Sequence, residues 1–223
     1  MEYQLHPCVE LQQLFAGMPL PHQGQDPTKA KVIFLGIDAN YSPEISRDPH
    51  FFRRILEYHE DGVAFWQRHG VHHPFLLPDY PLPRNTGGVP YHRKFASMGL
   101  TPDFANHISF VELLNVPTTG RTTRAGFQAM FDAAHARSLD DLFASGDRRI
   151  WFLSNVAIRL MHEIRKREGV FKWLPRKPDW GRVCQLNETE VYKVRHFSSA
   201  ISAEQLQQIG ALVRSTCCRQ PYQ

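Results

Sequence analysis

The chain has 223 residues, 42% hydrophobic and 22% charged, which fits one domain spanning 1–223 and excludes an intrinsically disordered polymer. Lys and Arg number 26 against 22 acidic residues, a net charge of +4 with the 12 histidines neutral. So mild an excess permits a nucleic-acid partner without requiring one, and the sequence opens on no signal-peptide pattern and holds no membrane-length apolar run, so a cytoplasmic monomer is expected.

In chain order, a helix around Val9–Phe15 precedes a Pro/Gly-containing linker and a first β-branched-rich strand, Lys31–Ile37. Residues 41–100 form an irregular insertion rich in Pro, His and aromatics, too long for a plain loop and expected to carry helices and part of a site. A second strand, His107–Leu114, leads to a helical face of Phe127, Met130, Phe131 and Ala134. A third, Arg149–Ser154, leads to a face of Ile158, Met161 and Ile164; a fourth, Val191–His196, leads to Leu206, Ile209 and Val213. Strands alternating with helices predict a parallel sheet covered on both faces, with its ligand beyond the carboxyl ends of the strands.

The four cysteines, Cys8, Cys184, Cys217 and Cys218, have no CxxC spacing, so neither a disulfide framework nor a cysteine-held metal is expected. His69, His72 and His73 lie close in sequence, with His92 further on. No HExxH pattern accompanies them, and a Pro-rich loop with surface histidines is the better reading.

Three strand ends carry polar side chains: Asp38 after the first, Asn115 after the second and His196 at the fourth. Singly, an Asp reads as a helix cap, an Asn as a turn residue and a His as a structural group. Their joint placement predicts that a carboxylate, a carboxamide and an imidazole share one rim.

These residues resemble a family. GIDANY is similar to the water-activating Gly-Gln-Asp-Pro-Tyr-His segment of uracil-DNA glycosylases, LLNVPTTGR to their Leu-Leu-Asn segment, and HFSSA to their His-Pro-Ser-Pro-Leu segment. The three occur in the family's order between Lys31 and Ile201. The resemblance implies an α/β fold, a three-layer α/β/α sandwich with a central four-stranded parallel sheet. It implies catalytic roles for Asp38 and His196 and base reading by Asn115. It also implies DNA as partner and no cofactor or metal. Asp38-Ala39-Asn40 equally overlays the Gly-Ile-Asn-Pro-Gly of the mismatch-specific branch, both prolines of the His segment are missing, and Ala200 stands in place of a leucine wedge. The superfamily is therefore assigned and the branch is not.

Breaking an N-glycosidic bond builds positive charge on the sugar and negative charge on the departing base, rewarding an anion at one end and a hydrogen-bond donor at the other. Asp38 fits the first role and can orient or deprotonate water; His196 fits the second. Asn115 has a donor and an acceptor for a pyrimidine edge, and Phe51, Phe52 and Phe95 are candidate stacking platforms for a base extruded from its helix. Asn40 stands where the uracil-specific branch has a tyrosine that excludes C5 substituents. It predicts a preference for C5-modified pyrimidines, hydroxymethylated or glucosylated as in phage DNA, and a role in antiphage defence. Tyr91, His92 and Arg93 would line the enlarged pocket, whereas Tyr41 swinging into the gap would restore plain uracil excision and a repair role.

For the DNA itself, Arg121 and Arg124 follow Asn115 at the opening of a helix, and Lys172 and Arg176 flank Trp173. Ser198 and Ser199 would hold phosphate and Ile201 would act as the wedge. No lysine occupies a motif position, so a monofunctional enzyme leaving an abasic site is expected. The rival readings are an N-ribosyl hydrolase of nucleosides or nucleotides and a non-catalytic DNA-binding relative.

Overall fold

The computed structural model describes residues 2–85, 87–145 and 149–218. In chain order the elements are β1 (Gln4–Leu5), α1 (Val9–Ala16), β2 (His22–Gly24), β3 (Val32–Gly36), β4 (Ala39–Asn40), α2 (Pro49–Glu60), α3 (Gly62–His69), α4 (Val89–Ala96), β5 (Ile108–Glu112), β6 (Pro117–Thr119), α5 (Arg124–Met130), α6 (Ala133–Ala144), β7 (Ile150–Ser154), α7 (Asn155–Glu168), β8 (Gly181–Leu186), β9 (Thr189–Val194) and α8 (Ala203–Cys218). Short 3-10 turns sit at Pro43–Arg47, Pro74–Leu76 and Pro102–His107.

The main sheet has six strands in the order β2-β5-β3-β7-β9-β8. Its sequence-predicted members, β5, β3, β7 and β9, pair with one another in parallel, while β2 and β8 add antiparallel edges. The sheet is thus mixed and six-stranded rather than four-stranded and all-parallel. The missed edge β8 is polar and largely exposed, so it lacks the apolar run that marks a buried strand. The helical face expected across Phe127–Ala134 divides: α5 ends at Met130, and Asp132 caps α6 by accepting from the Ala134 and His135 N–H groups.

Alternation along the strands supplies two cores. Ile33, Leu35, Trp151, Leu153 and Val191 pack with Leu139 and Phe143 of α6 and Met161 and Ile164 of α7. Val32, Phe34, Ile108, Phe110 and Phe152 pack with Phe95 of α4 and Leu206, Ile209 and Val213 of α8. The 41–100 insertion brings a third core, in which Phe51, Phe52 and Ile55 of α2 meet Leu11 and Phe15 of α1. No helix among the described residues is long and apolar enough to cross a membrane.

A second, three-stranded sheet, β1-β6-β4, matters most for the site. Leu5 pairs with Thr118, and Asn40 pairs with the same Thr118 from the other side. This small sheet binds the N-terminal segment and the segment after β5 to the loop that follows β3.

Candidate active site

A cavity of about 440 Å³ opens at the carboxyl ends of β3 and β5 and is lined by Asp38, Asn40, Tyr41, Glu112, Tyr91 and His196 among others. Its size falls within the ~300–1,000 Å³ of small-ligand pockets. Asp38 and His196 thus meet from the loops after β3 and β9. A wider depression of about 770 Å³ lies elsewhere, lined by Glu10, Glu60 and Asp61. That acidic rim repels a phosphate backbone.

Three donors hold Asp38, all on Oδ2: the Tyr3 hydroxyl at 2.8 Å, Thr118 Oγ1 at 2.5 Å and Asn40 Nδ2 at 3.2 Å. Each comes from a strand of the small sheet or the residue beside one. Asn40 Nδ2 also reaches Thr118 Oγ1 at 3.0 Å and the Gly120 carbonyl at 2.9 Å, so its amide nitrogen is committed to the clamp. Burial, with the Asp38 charge beside it, raises the Tyr3 hydroxyl above its usual range and keeps it a donor. A carboxylate so held presents Oδ1 in a fixed direction, the requirement for stabilising charge at a sugar carbon or aligning water.

His196 is set by its own turn. The Ser198 N–H donates to Nδ1 at 3.2 Å, and the Ser199 hydroxyl donates to the His196 carbonyl at 2.6 Å. Asn155 Oδ1 accepts from the His196 N–H at 3.2 Å. Burial lowers the imidazole pKa, with the Asp38 charge opposing. An acceptor Nδ1 on a neutral ring leaves the proton on Nε2.

Asn115 lies outside this cavity. The strand ends at Glu112, and Asn115 sits beyond it, donating through Nδ2 to Asp132 Oδ2 at 2.9 Å in a separate recess shared with His135. The polar side chain that β5 brings into the cavity is Glu112. Its signal in the sequence is a lone carboxylate at the end of the apolar run ISFV, where a buried strand has no ordinary use for a charge. Burial and the nearby Asp38 raise the Glu112 carboxyl well above the usual carboxylate range.

Phe51, Phe52 and Phe95 are buried core residues absent from the cavity lining, so they supply no stacking face. The aromatic walls are Phe75, Tyr91, Phe110, His73 and His92. Of the histidines expected at the surface, His72 and His73 are buried: His73 stacks on His92 with centroids 3.5 Å apart, and His72 Nε2 lies 3.1 Å from His92 Nδ1, while the partly exposed His69 pairs with Glu57 at 3.0 Å. Burial pushes His92 down to about 3 and holds His72 and His73 well below the usual value, so His73 and His92 are neutral walls and His72 a neutral ring behind them. Among the described residues no group of three or more potential metal ligands comes together. Tyr41 lines the cavity, but its hydroxyl is 2.8 Å from His59 Nε2, which ties it to the third core.

Of the expected DNA contacts, Arg121 and Ser198 line the cavity. Arg124 pairs with Glu163 at 2.9 Å. Ile201 packs against the core on the α8 face rather than standing free as a wedge. Trp173 is structural, its Nε1 donating to Asp140 Oδ1 at 2.8 Å. Lys172 is exposed and lies apart from the groove lined by Arg159, Lys166, Arg176, Lys177 and Lys193, where Trp180 also stands. Trp180 is 52% exposed, with Lys193 Nζ 4.5 Å and Arg195 Cζ 5.3 Å from its ring centre. Asn155, which holds the His196 backbone, also lines this groove. Compared with known proteins, the chain matches no protein-family model and no curated protein sequence.

Proposed function

We propose that the protein is a monofunctional DNA glycosylase of the uracil-DNA glycosylase superfamily that hydrolyses the N-glycosidic bond of an extruded pyrimidine and leaves an abasic site. The observation that carries this reading is the shared cavity of a clamped Asp38 and a neutral His196. Asp38 stabilises the oxocarbenium-like sugar and directs water to its anomeric carbon. His196 donates from Nε2 to the base oxygen as negative charge builds there. The parallel run β5-β3-β7-β9 with helices on both faces is consistent with the three-layer glycosylase architecture.

A C5-modified base is the favoured substrate. Asn40 leaves open the place of the excluding tyrosine, and Tyr41 is anchored away on His59. The cavity extends to Phe75, His73 and His92, beyond what a bare pyrimidine fills. Arg121 at the cavity and the cationic groove beside Asn155 suit a phosphate backbone, and the exposed Trp180 suits an unstacked base.

The test is incubation with oligonucleotides carrying uracil, 5-hydroxymethyl or glucosylated pyrimidines, followed by mass spectrometry of the released bases. Release of the modified base, abolished in Asp38→Asn with DNA affinity retained, is the expected result. Exclusive uracil release defeats the C5 preference. Release from free nucleosides with none from oligonucleotides selects an N-ribosyl hydrolase instead.

A further inference from the structure

Among the described residues lining the cavity, Glu112 is the one acidic side chain besides Asp38, and the reaction above has no use for it. The parallel ladder pairs it with Gly36, so both project to the same face of the sheet. A Cβ on residue 36 would fall 2.0 Å from Glu112 Oε2, so the carboxyl lies over Gly36 in the space a side chain there would take. Glu112 lines the cavity, and its Oε2 is buried without a hydrogen-bond partner. A buried acceptor left unmet is destabilising, and such groups persist where a ligand completes them.

We propose that Glu112 reads the extruded base, its carboxyl hydrogen-bonding the N3 and C4 edge of a pyrimidine. The identity of the guest rests on the glycosylase reading; the place of contact rests on the cavity alone. The groups facing this carboxyl favour its neutral form. Asp38 is an anion on the loop after β3, and Tyr41, Tyr58 and Tyr91 are buried hydroxyls whose pKa values burial raises; Arg121 also lines the cavity, but burial and Asp38 govern the carboxyl and raise it. The histidines of the cavity, His73, His92 and His196, are shifted towards the neutral form by burial.

A protonated carboxyl offers one donor and one acceptor side by side. A 4-amino pyrimidine presents an acceptor at N3 and a donor at C4, and a 4-oxo pyrimidine presents the reverse. Because the proton can sit on either oxygen, one Glu112 geometry fits both. An ionised carboxylate, with acceptors only, meets a repulsive lone pair at one position of either edge. The substrate class is therefore pyrimidines of both C4 types, with selectivity left to the C5 substituent. This is the role that the family resemblance implies for the carboxamide of Asn115.

The test measures binding of free cytosine and free uracil by calorimetry, using wild type, Glu112→Leu, Glu112→Gln and Asp38→Asn, alongside base release from DNA. Both bases bind wild type; Glu112→Leu weakens both by about tenfold or more, and Glu112→Gln, which keeps a donor and an acceptor, recovers most of the loss. Difference infrared spectra contain a protonated-carboxyl band that Glu112→Gln removes. Glu112→Leu also melts no lower than wild type, because it deletes an unmet buried acceptor, so weaker binding is not misfolding. Equal binding by Glu112→Leu and wild type overturns the proposal, as does failure of wild type to bind either base at millimolar concentration. If wild type releases no base from any DNA yet binds pyrimidines in a Glu112-dependent way, the glycosylase reading fails and this one stands.

Discussion

The Ser198 N–H points at His196 Nδ1 from 3.2 Å, in a turn that the Ser199 hydroxyl closes on the His196 carbonyl. The tautomer of the imidazole is therefore set by backbone within its own loop. His196→Ala removes a donor whose benefit arises only as the leaving base becomes anionic. Single-turnover base release should fall about 10²–10³-fold while DNA affinity is held. An equal loss in affinity would mean that His196 binds the ground state instead.

Tyr3 reaches Asp38 from 35 residues away and is fixed by its neighbours. Tyr3→Phe keeps the ring and deletes one charge-assisted hydrogen bond, for an expected loss of about tenfold or more in kcat with little change in melting temperature. Gly126→Ala attacks the same clamp from behind, since its Cβ would lie 2.5 Å from Tyr3 Cδ1 and 2.9 Å from the Tyr3 carbonyl. Overpacking of this kind costs about 1–3 kcal/mol. The variant should therefore lose both activity and stability, whereas Tyr3→Phe loses activity alone; thermal melts beside base-release rates separate the two.

The buried histidines give the fold an acid limit. His59 and His92 are pushed down to about 3 by burial, and His72 and His73 lie well below their usual value for the same reason. As pH falls below about 6.5, the unfolded chain takes up protons that the folded chain refuses. Stability present above that pH is lost progressively towards pH 3, with a slope of about 1.4 kcal/mol per pH unit for each histidine excluded from protonation. Glu112 acts in the opposite sense, favouring the fold at low pH and opposing it as pH rises above the ordinary carboxylate value. Four histidines outweigh one carboxyl, so denaturant titrations from about pH 7 down to about pH 5 should give decreasing stability. His92→Phe should flatten that trend.

Periodicity made much of the frame legible. The parallel-paired strands β3, β5, β7 and β9 are apolar enough to be read directly, and α1, α7 and α8 follow from apolar residues three and four apart. The edges β2 and β8 were not legible, because a strand with one solvent-facing side and few apolar residues has no such signature. Asp38 and His196 follow strands whose ends are well marked, so their convergence on one cavity is legible in the sequence. Asn115 lies outside the cavity because the strand ends at Glu112 rather than Leu114, and a residue beyond a strand end no longer obeys the alternation that sets its face. The donors Tyr3 and Thr118 depend on the pairing of two- and three-residue strands far apart in sequence, which no local pattern reports.

The groove between α7 and the β8–β9 hairpin should determine how DNA is held. Arg176 and Lys177 are exposed there, so replacing both by Ala should weaken binding of an oligonucleotide and lower the slope of log affinity against log salt by about two. Trp180 acts differently, because a ring flanked by Lys193 and Arg195 can stack a base only where that base is unpaired. Trp180→Ala should cost about 1–3 kcal/mol in single-stranded affinity and leave the salt slope unchanged. Fluorescence anisotropy over a salt series, with single- and double-stranded oligonucleotides of one sequence, measures both effects. A salt-independent affinity, or equal losses on both DNAs from Trp180→Ala, would place the strand on another face of the protein.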